Sequence, residues 1–376
     1  MLFSPEFLEV SATVAVTAIA CALLGPFLLL RRLALLTDAI GHVLLFGIVV
    51  AFLIVGQLDS PWLLFGAAAT GLVTVVLIEA LSRSQVVRED AAIGLTFPAL
   101  FAGGIILATL FARNTHLDID QVMLGYAEFA PEHRLEIGEY DLGPRSLIVM
   151  GLMGLLNLTA IAIFFKELKI STFDATLAAS LGFLPAVLHY GLMTLVSFTV
   201  VTAFDSTGPV LVVAFFVIPA MSSYLLTDRL GWFLAWSVLY AVAGSFLGTA
   251  AAFALETTVS GTVATVMGGL FGLTWLAAPR YGLIRHWTER RRLRRAMHDR
   301  LLLIHLKNHE GTPEESAESD VRNLHEHFRW TLAATDRIVR RAMSHAWVLC
   351  ESSHLKLTPV GREIADRDIT AGPFIS

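Results

Sequence analysis

The sequence predicts an all-α polytopic membrane protein with eight or nine transmembrane helices, followed by a small soluble α+β extension. Three observations carry this expectation. The 376-residue chain is 55% hydrophobic and only 16% charged, outside the usual composition of a soluble globular domain. Its charge is unevenly divided, with net −9 over residues 1–279 and net +4 over residues 280–376, so an apolar body precedes a basic tail. Apolar segments also recur near 11–30, 40–56, 62–80, 91–112, 146–165, 187–203, 207–227, 231–253 and 260–278, several of them long enough to cross a bilayer as helices.

A helical bundle explains these long runs better than a barrel, because barrel strands would leave short alternating patterns. The count is open at the second segment, where Asp38, Gly41 and His42 fit either a helix end or a broken helix. Arg31, Arg32, Arg83, Arg88, Lys166, Lys169, Arg229 and Arg280 occupy one set of alternate loops. Only Arg113, Arg134 and Arg145 occupy the other. Positive charge thus directs the first set and the tail to the cytoplasm, with the N-terminus outside for nine spans and inside for eight. The opposite, external face carries Asp118, Asp120, Glu128, Glu132, Glu136, Glu139 and Asp141 in the 113–145 loop.

The first charges are Glu6 and Glu9, and Arg31-Arg32 follow the first apolar run instead of preceding it, so a cleaved signal peptide is not expected. Cys21 and Cys350 support neither a disulfide scaffold nor a thiolate metal cage. Small residues such as Gly103-Gly104, Gly244 with Gly248, and Gly268 with Gly272 predict close helix packing.

The sharpest constellation is LLTDAIGHVLLFG at 35–47, where Asp38 and His42 lie four apart on one helical face. A carboxylate and an imidazole can share a divalent transition metal, but two groups do not complete a coordination shell. Such groups are costly in hydrocarbon unless paired, solvated or used by a pathway, so a substrate path and a structural polar pair near the membrane edge both stay open. His189, beside Tyr190, is a supplementary ligand candidate, with a structural hydrogen bond as its alternative. Ser197, Thr202, Asp205, Ser222 and Ser223 add polar groups near the following helices. On the cytoplasmic side, VREDAAIG (87–94) and KELKISTFDATLAASLGFLP (166–185) suit a docking surface. A helix around 174–184 is too short to cross the bilayer.

LRRLALLTDAIGHVLLFGIVVAF, VREDAAIG, KELKISTFDATLAASLG, FDSTGPVLVVAFFVIPAMSSYLLTDRLG and SGTVATVMGGLFGLTWLAAPRYGL, in this order, resemble the ABC-3 family of manganese, zinc and iron transporter permeases over roughly residues 10–283. The resemblance implies a permease of the bacterial plasma or inner membrane that is not itself an enzyme. It implies divalent manganese first, with zinc or iron next, as transported substrate and not as cofactor. It also implies a separate cytoplasmic ABC ATPase, an extracytoplasmic metal-binding protein or lipoprotein, and a second permease subunit. The chain carries no G-x-x-x-x-G-K-[ST] phosphate-binding loop, in keeping with ATP hydrolysis by a partner. On the family's pattern Asp38 and His42 are the first metal-path residues and His189 in VLHY is a weaker one. Phe173, Asp174, Leu181 and Gly182 fall on the coupling helix. Gly41 stands where the family usually has serine, and Phe46 where it usually has proline, which bears on gate geometry and metal selectivity.

The expected organisation is a permease over 1–283, an amphipathic connector and polar linker over 284–319, and an extension over 320–376. The connector sets Leu293, Met297, Leu301 and Ile304 on one side and clusters Arg290, Arg291, Arg292, Arg294 and Arg295, a pattern suited to anionic membrane lipid. GTPEESAESD at 311–320 marks a polar boundary. The segment beyond it, ending in HLKLTPVG and a final helix, resembles a cytoplasmic winged-helix domain of the kind found in metal-responsive repressors. Its His325, His327, His345 and His354 are metal-sensing candidates against an ordinary surface or core role. A tethered domain has limited access to DNA, so regulation or subunit contact ranks above nucleic-acid binding. The readings that compete with the importer are a secondary metal transporter without an ATPase and a membrane-tethered metal-responsive regulator.

Overall fold

The structure, a computed structural model, describes residues 4–57, 60, 62–84, 86–111, 127–137, 140–279 and 281–370. The chain divides into two compact units at the Gly282–Leu283 junction. Asp118 and Asp120 of the acidic loop, with Arg113, Glu139 and Arg280, lie outside the described residues.

In the first unit the helices are α1 (Pro5–Leu30), α2 (Leu36–Val55), α3 (Trp62–Arg83), α4 (Glu89–Phe111), α5 (Arg145–Ile163), α6 (Phe165–Phe173), α7 (Ala175–Ser180), α8 (Pro185–Thr207), α9 (Pro209–Tyr224), α10 (Leu230–Leu255) and α11 (Val259–Ala277). Eight are long and apolar enough to cross a membrane, and α9, of 16 residues, is shorter. At 1.5 Å per residue α9 is about 24 Å long, short of a hydrocarbon core of about 30 Å. Its Leu211, Val212, Phe215 and Phe216 are enclosed by protein, so it does not need the full lipid-facing length. α8 and α10 both start just after Lys or Arg loops, with α9 between them.

α1 is apolar all round and lies at the centre, packed on α5, α8, α9 and α10, as expected of a helix with no solvated face. Its N-terminus is defined by Ser4, whose hydroxyl accepts from the Phe7 N–H (3.2 Å), and by Pro5 in the first turn. Polar side chains join it to its neighbours. Asn157 donates to the Ala20 carbonyl (3.1 Å) and the Thr199 hydroxyl (2.9 Å), Ser237 donates to the Ala22 carbonyl (3.1 Å), and Thr17 pairs with Ser206 (3.1 Å). Glycines set the closest approaches: a Cβ on Gly248 would lie 2.5 Å from Val263 Cα, and one on Gly244 2.6 Å from Met267 Cγ, so α10 and α11 nearly touch. Gly268 and Gly272, expected to pack in the same way, would have no atom of the described residues within 4 Å of an added Cβ.

Between α4 and α5 a short 3-10 turn (Ala127–Phe129) precedes the antiparallel hairpin of β1 (Arg134–Ile137) and β2 (Tyr140–Pro144). Several acids here have structural partners. Arg134 binds Asp141 (2.6 Å) and Glu9 of α1 (3.1 Å), and Glu128 accepts from the Val259 N–H (2.6 Å) at the start of α11.

The second unit contains α12 (Leu283–His309), α13 (Glu315–Glu318), α14 (Leu324–His327), α15 (Leu332–Ser344), β3 (Val348–Glu351), β4 (His354–Leu357) and α16 (Pro359–Thr370). Leu302, Leu303 and Leu306 of the basic helix α12 are buried with Leu324, Ile338, Val348 and Leu355, so α12 belongs to this core. β3 and β4 pair antiparallel across Ser352-Ser353, both with positive φ, as a two-residue hairpin turn requires.

Candidate functional site

Asp38 occupies the first turn of α2, where the positive end of the helix dipole favours a carboxylate. His42 follows one turn later, with its Nε2 3.5 Å from Asp38 Oδ1. The pair keeps access to solvent-sized space, with 48% of the Asp38 side chain and 37% of the His42 side chain exposed. Two aromatic side chains of α4 orient the imidazole: Phe97 stacks on it at 5.5 Å and Phe101 meets it edge-on at 6.0 Å.

The depth of the pair follows from Ile40, midway between its members. A Cβ on Gly71 would lie 3.1 Å from Ile40 Cγ2 and 2.9 Å from Ser197 Oγ. Gly71 and Ser197 stand about halfway along α3 and α8, so Asp38 and His42 flank a residue packed near the middle of the bundle. Among the described residues the buried Ser197 hydroxyl has no hydrogen-bond partner, which leaves one oxygen uncommitted at this level. Thr202, Ser222 and Ser223 instead donate to carbonyls four residues earlier, and Asp205 is exposed near the end of α8.

His189 is held elsewhere. Its Nδ1 lies 3.1 Å from the Arg31 guanidinium, which also donates to Ser171 (3.1 Å) and Thr172 (3.2 Å). A guanidinium can only donate, so Nδ1 accepts and the neutral ring carries its proton on Nε2. Beside it Glu79 accepts from the Tyr190 hydroxyl (2.5 Å) and from Arg83 (2.6 Å). Arg31, Glu79, Arg83, Ser171 and His189 line a cavity of about 360 Å³ that extends to Leu33 and Leu36, while neither Asp38 nor His42 lines it. Among the described residues, Asp38, His42 and His189 do not converge as a three-ligand group. Leu36, almost fully buried, lines the cavity two residues before Asp38.

The polar turn after α5 folds as α6 and α7. Asp174 caps α7 by accepting from the Leu177 N–H (2.9 Å), and the helix ends at Ser180 because Gly182, at φ 84°, turns the chain. This is four residues earlier than the sequence spacing suggested. Phe173 at the end of α6, Leu177 within α7 and Leu181 at its C-terminal cap are all exposed.

Glu79 and the aromatic pair Phe97 and Phe101 were not singled out in the sequence, where Arg31 served only for orientation and Tyr190 only as a neighbour of His189. Apart from Arg83, four residues from Glu79, their partners lie between 55 and 158 residues away along the chain, so no local spacing announces these contacts. In the second unit, His345 stacks on Trp347, while His325 and His354 contact backbone carbonyls within three residues. His327 instead reaches Glu318 at 3.3 Å.

The family model described as the ABC 3 transport family matches residues 5–277. The chain belongs to the ABC 3 transport family. Membership makes it a multi-pass membrane transport subunit and not a catalyst. It is 42% identical over 360 residues to the zinc transport system membrane protein TroD of Treponema pallidum, covering 95% of this chain and 97% of that one, so the likeness takes in most of the second unit. It is 40% identical over 273 residues to the manganese transport system membrane protein MntD of Bacillus subtilis, covering 73% of this chain and 92% of that one. Among solved structures, PsaBC from Streptococcus pneumoniae in complex with Fab is similar with a TM-score of 0.61 at 26% identity, covering 74% of this chain and 94% of that one.

Proposed function

We propose that this chain is the permease subunit of an ATP-binding-cassette importer for a divalent transition metal, with manganese as its first substrate. The observation that carries the reading is the Asp38–His42 pair, half-exposed at mid-depth in a bundle whose other buried hydroxyls mostly donate to carbonyls of their own helices. An ionisable pair at this depth is expected to serve a path. A carboxylate with an imidazole and no thiolate suits manganese, iron or zinc. The relatives named for manganese and zinc support the same class. Zinc is the second reading, favoured by the likeness to TroD over nearly the whole chain.

The metal moves from the extracytoplasmic face to Asp38 and His42, past Leu36, and into the cavity of Glu79 and His189. Leu36 must move for passage, because it is packed in this state. A partner ATPase docks on the exposed side chains of Phe173, Leu177 and Leu181 and shifts the population of the two access states through differential contacts. An extracytoplasmic metal-binding protein delivers the ion, and a second permease subunit covers part of the exposed apolar surface. The Lys- and Arg-rich loops and the second unit face the cytoplasm. The helix, hairpin and closing helix from α14 to α16 support a winged-helix reading of that unit.

Vesicles containing the permease, its ATPase and its binding protein test the assignment through uptake of manganese, zinc and iron with and without ATP. Asp38→Ala and His42→Ala should each lower uptake at least about tenfold, the smaller end of what loss of groups that merely orient metal ligands produces. Undiminished uptake by well-folded variants would remove the pair from the path. Uptake driven by an ion gradient without ATP or ATPase would overturn the importer.

A further inference from the structure

His305 and His309 stand one turn apart near the end of α12, Glu318 closes α13, and His327 closes α14. The second unit folds these three helices against one another. Glu318 Oε2 lies 3.3 Å from His305 Nε2 and 3.3 Å from His327 Nδ1. The His305 and His309 rings are 4.8 Å apart, and one ligand atom from each of His305, His309 and Glu318 falls within 4.8 Å of the others.

A tetrahedral ion with bonds of about 2.0–2.1 Å holds its ligand atoms about 3.3–3.4 Å apart. The two Glu318 separations match two edges of such a tetrahedron, and His309 lies within 4.8 Å of the same point. His305, His309 and Glu318 are half-buried, His327 is exposed, and Phe328 meets His305 edge-on at 4.9 Å. The cluster is thus partly shielded from water but open to an entering ion. Carboxylate–imidazole contacts alone would hold His305 and His327 to Glu318. They do not account for His309, whose ring is brought to the same point from the next turn.

We propose that His305, His309, Glu318 and His327 form a divalent transition-metal site of the zinc type in the cytoplasmic tail. Three imidazoles and one carboxylate, without a thiolate, suit zinc first and cobalt as its spectroscopic substitute. Occupancy ties the end of α12 to α13 and α14, the two short helices that precede α15. The transported ion and the tail ion occupy separate places, since all four donors belong to the second unit and Asp38 and His42 to the first.

The test uses the full chain in lipid nanodiscs with cobalt(II) as the probe. The intact protein should bind cobalt with the visible absorption of a tetrahedral complex, and zinc should abolish it. Asp38→Asn with His42→Gln should keep that absorption, and His305→Gln with His309→Gln should remove it. Absorption that survives the tail substitutions, or that disappears with the path substitutions alone, would overturn the site. A second measurement needs no variant: at zinc about ten times its dissociation constant, diethyl pyrocarbonate labelling of His305 and His309 should fall about tenfold while that of His345 and His354 stays constant. Equal labelling of His305 and His309 with and without zinc would refute the proposal whatever the variants do.

Discussion

Gly41 sits between the two members of the Asp38–His42 pair, and its packing gives a sharp test of how α2 is held. A Cβ at this position would lie 2.6 Å from Phe204 Cε2, against the 3.4 Å at which ordinary contact begins. Phe204 Cζ lies nearer still, so Gly41→Ala forces α2 and α8 apart by about 1 Å or turns the half-buried Phe204 ring, and a radial gap of that size forfeits a quarter to a half of the dispersion attraction at the contact. Overpacking of this kind costs about 1–3 kcal/mol. Phe204→Leu removes the ring edge that Gly41→Ala would meet. Combining the two should cost about 1–2 kcal/mol less than the sum of the single changes. Thermal unfolding of the four proteins in one lipid nanodisc composition, followed by tryptophan fluorescence, measures the cycle, and uptake assays show whether the displaced pair still passes metal. Strict additivity of the two substitutions would refute the claim that Gly41 is required for the α2–α8 approach.

Three further outcomes are expected. Leu177→Asp and Leu181→Asp, both at exposed positions after α5, should lower ATP-driven uptake and permease-stimulated ATP hydrolysis together while leaving the melting temperature of the isolated permease within a few degrees; unchanged stimulation would remove these side chains from the docking surface. Truncation after Gly282 should leave a folded bundle, whereas truncation after Glu310 strands Leu302, Leu303 and Leu306 without their core and should aggregate more readily, as size-exclusion profiles would show; identical profiles would argue against α12 as part of the tail core. Burial, with Arg294 and Arg341 nearby, holds His298 below the usual imidazole value of 6.5, against a smaller opposing pull from Asp299, and Trp330 packs on its ring. Because the folded form takes up this proton less readily, the stability it contributes is present above pH 6.5 and lost as pH falls below it. His298→Gln should flatten the melting temperature of the tail between about pH 7.5 and 5.5, and an unchanged slope would exclude His298 as its source.

The helical class was legible because hydrocarbon requires long uninterrupted apolar runs, and the eight long helices coincide with eight of the segments read from composition alone. The further run, α9, was visible as an apolar segment, and the structure shows it to be 16 residues long with protein around much of it. The Asp38–His42 spacing was also legible, since i and i+4 on a helix face the same way. Its depth was not. That depth depends on Gly71 and Ser197, which reach Ile40 from two distant helices. His189 shows the opposite case, as its motif singled it out as a supplementary ligand candidate while the Arg31 side chain from the end of α1 decided what its Nδ1 does.

In the tail the polar run at 311–320 was read as a boundary, yet it carries Glu318, which meets His305 and His327. Local periodicity records which residues share a face of one helix and how much of the chain prefers lipid to water. By itself, then, the sequence determined a multi-pass helical membrane protein with a basic tail, the Asp38–His42 face of α2, and the likeness to a transport family. Only the tertiary structure decided which side chains from separate helices meet: the level at which the pair lies, the Arg31 partner of His189, and the convergence of His305, His309, Glu318 and His327. Those outcomes depend on interhelical distances of a few ångströms, which are fixed by packing between segments far apart in the chain.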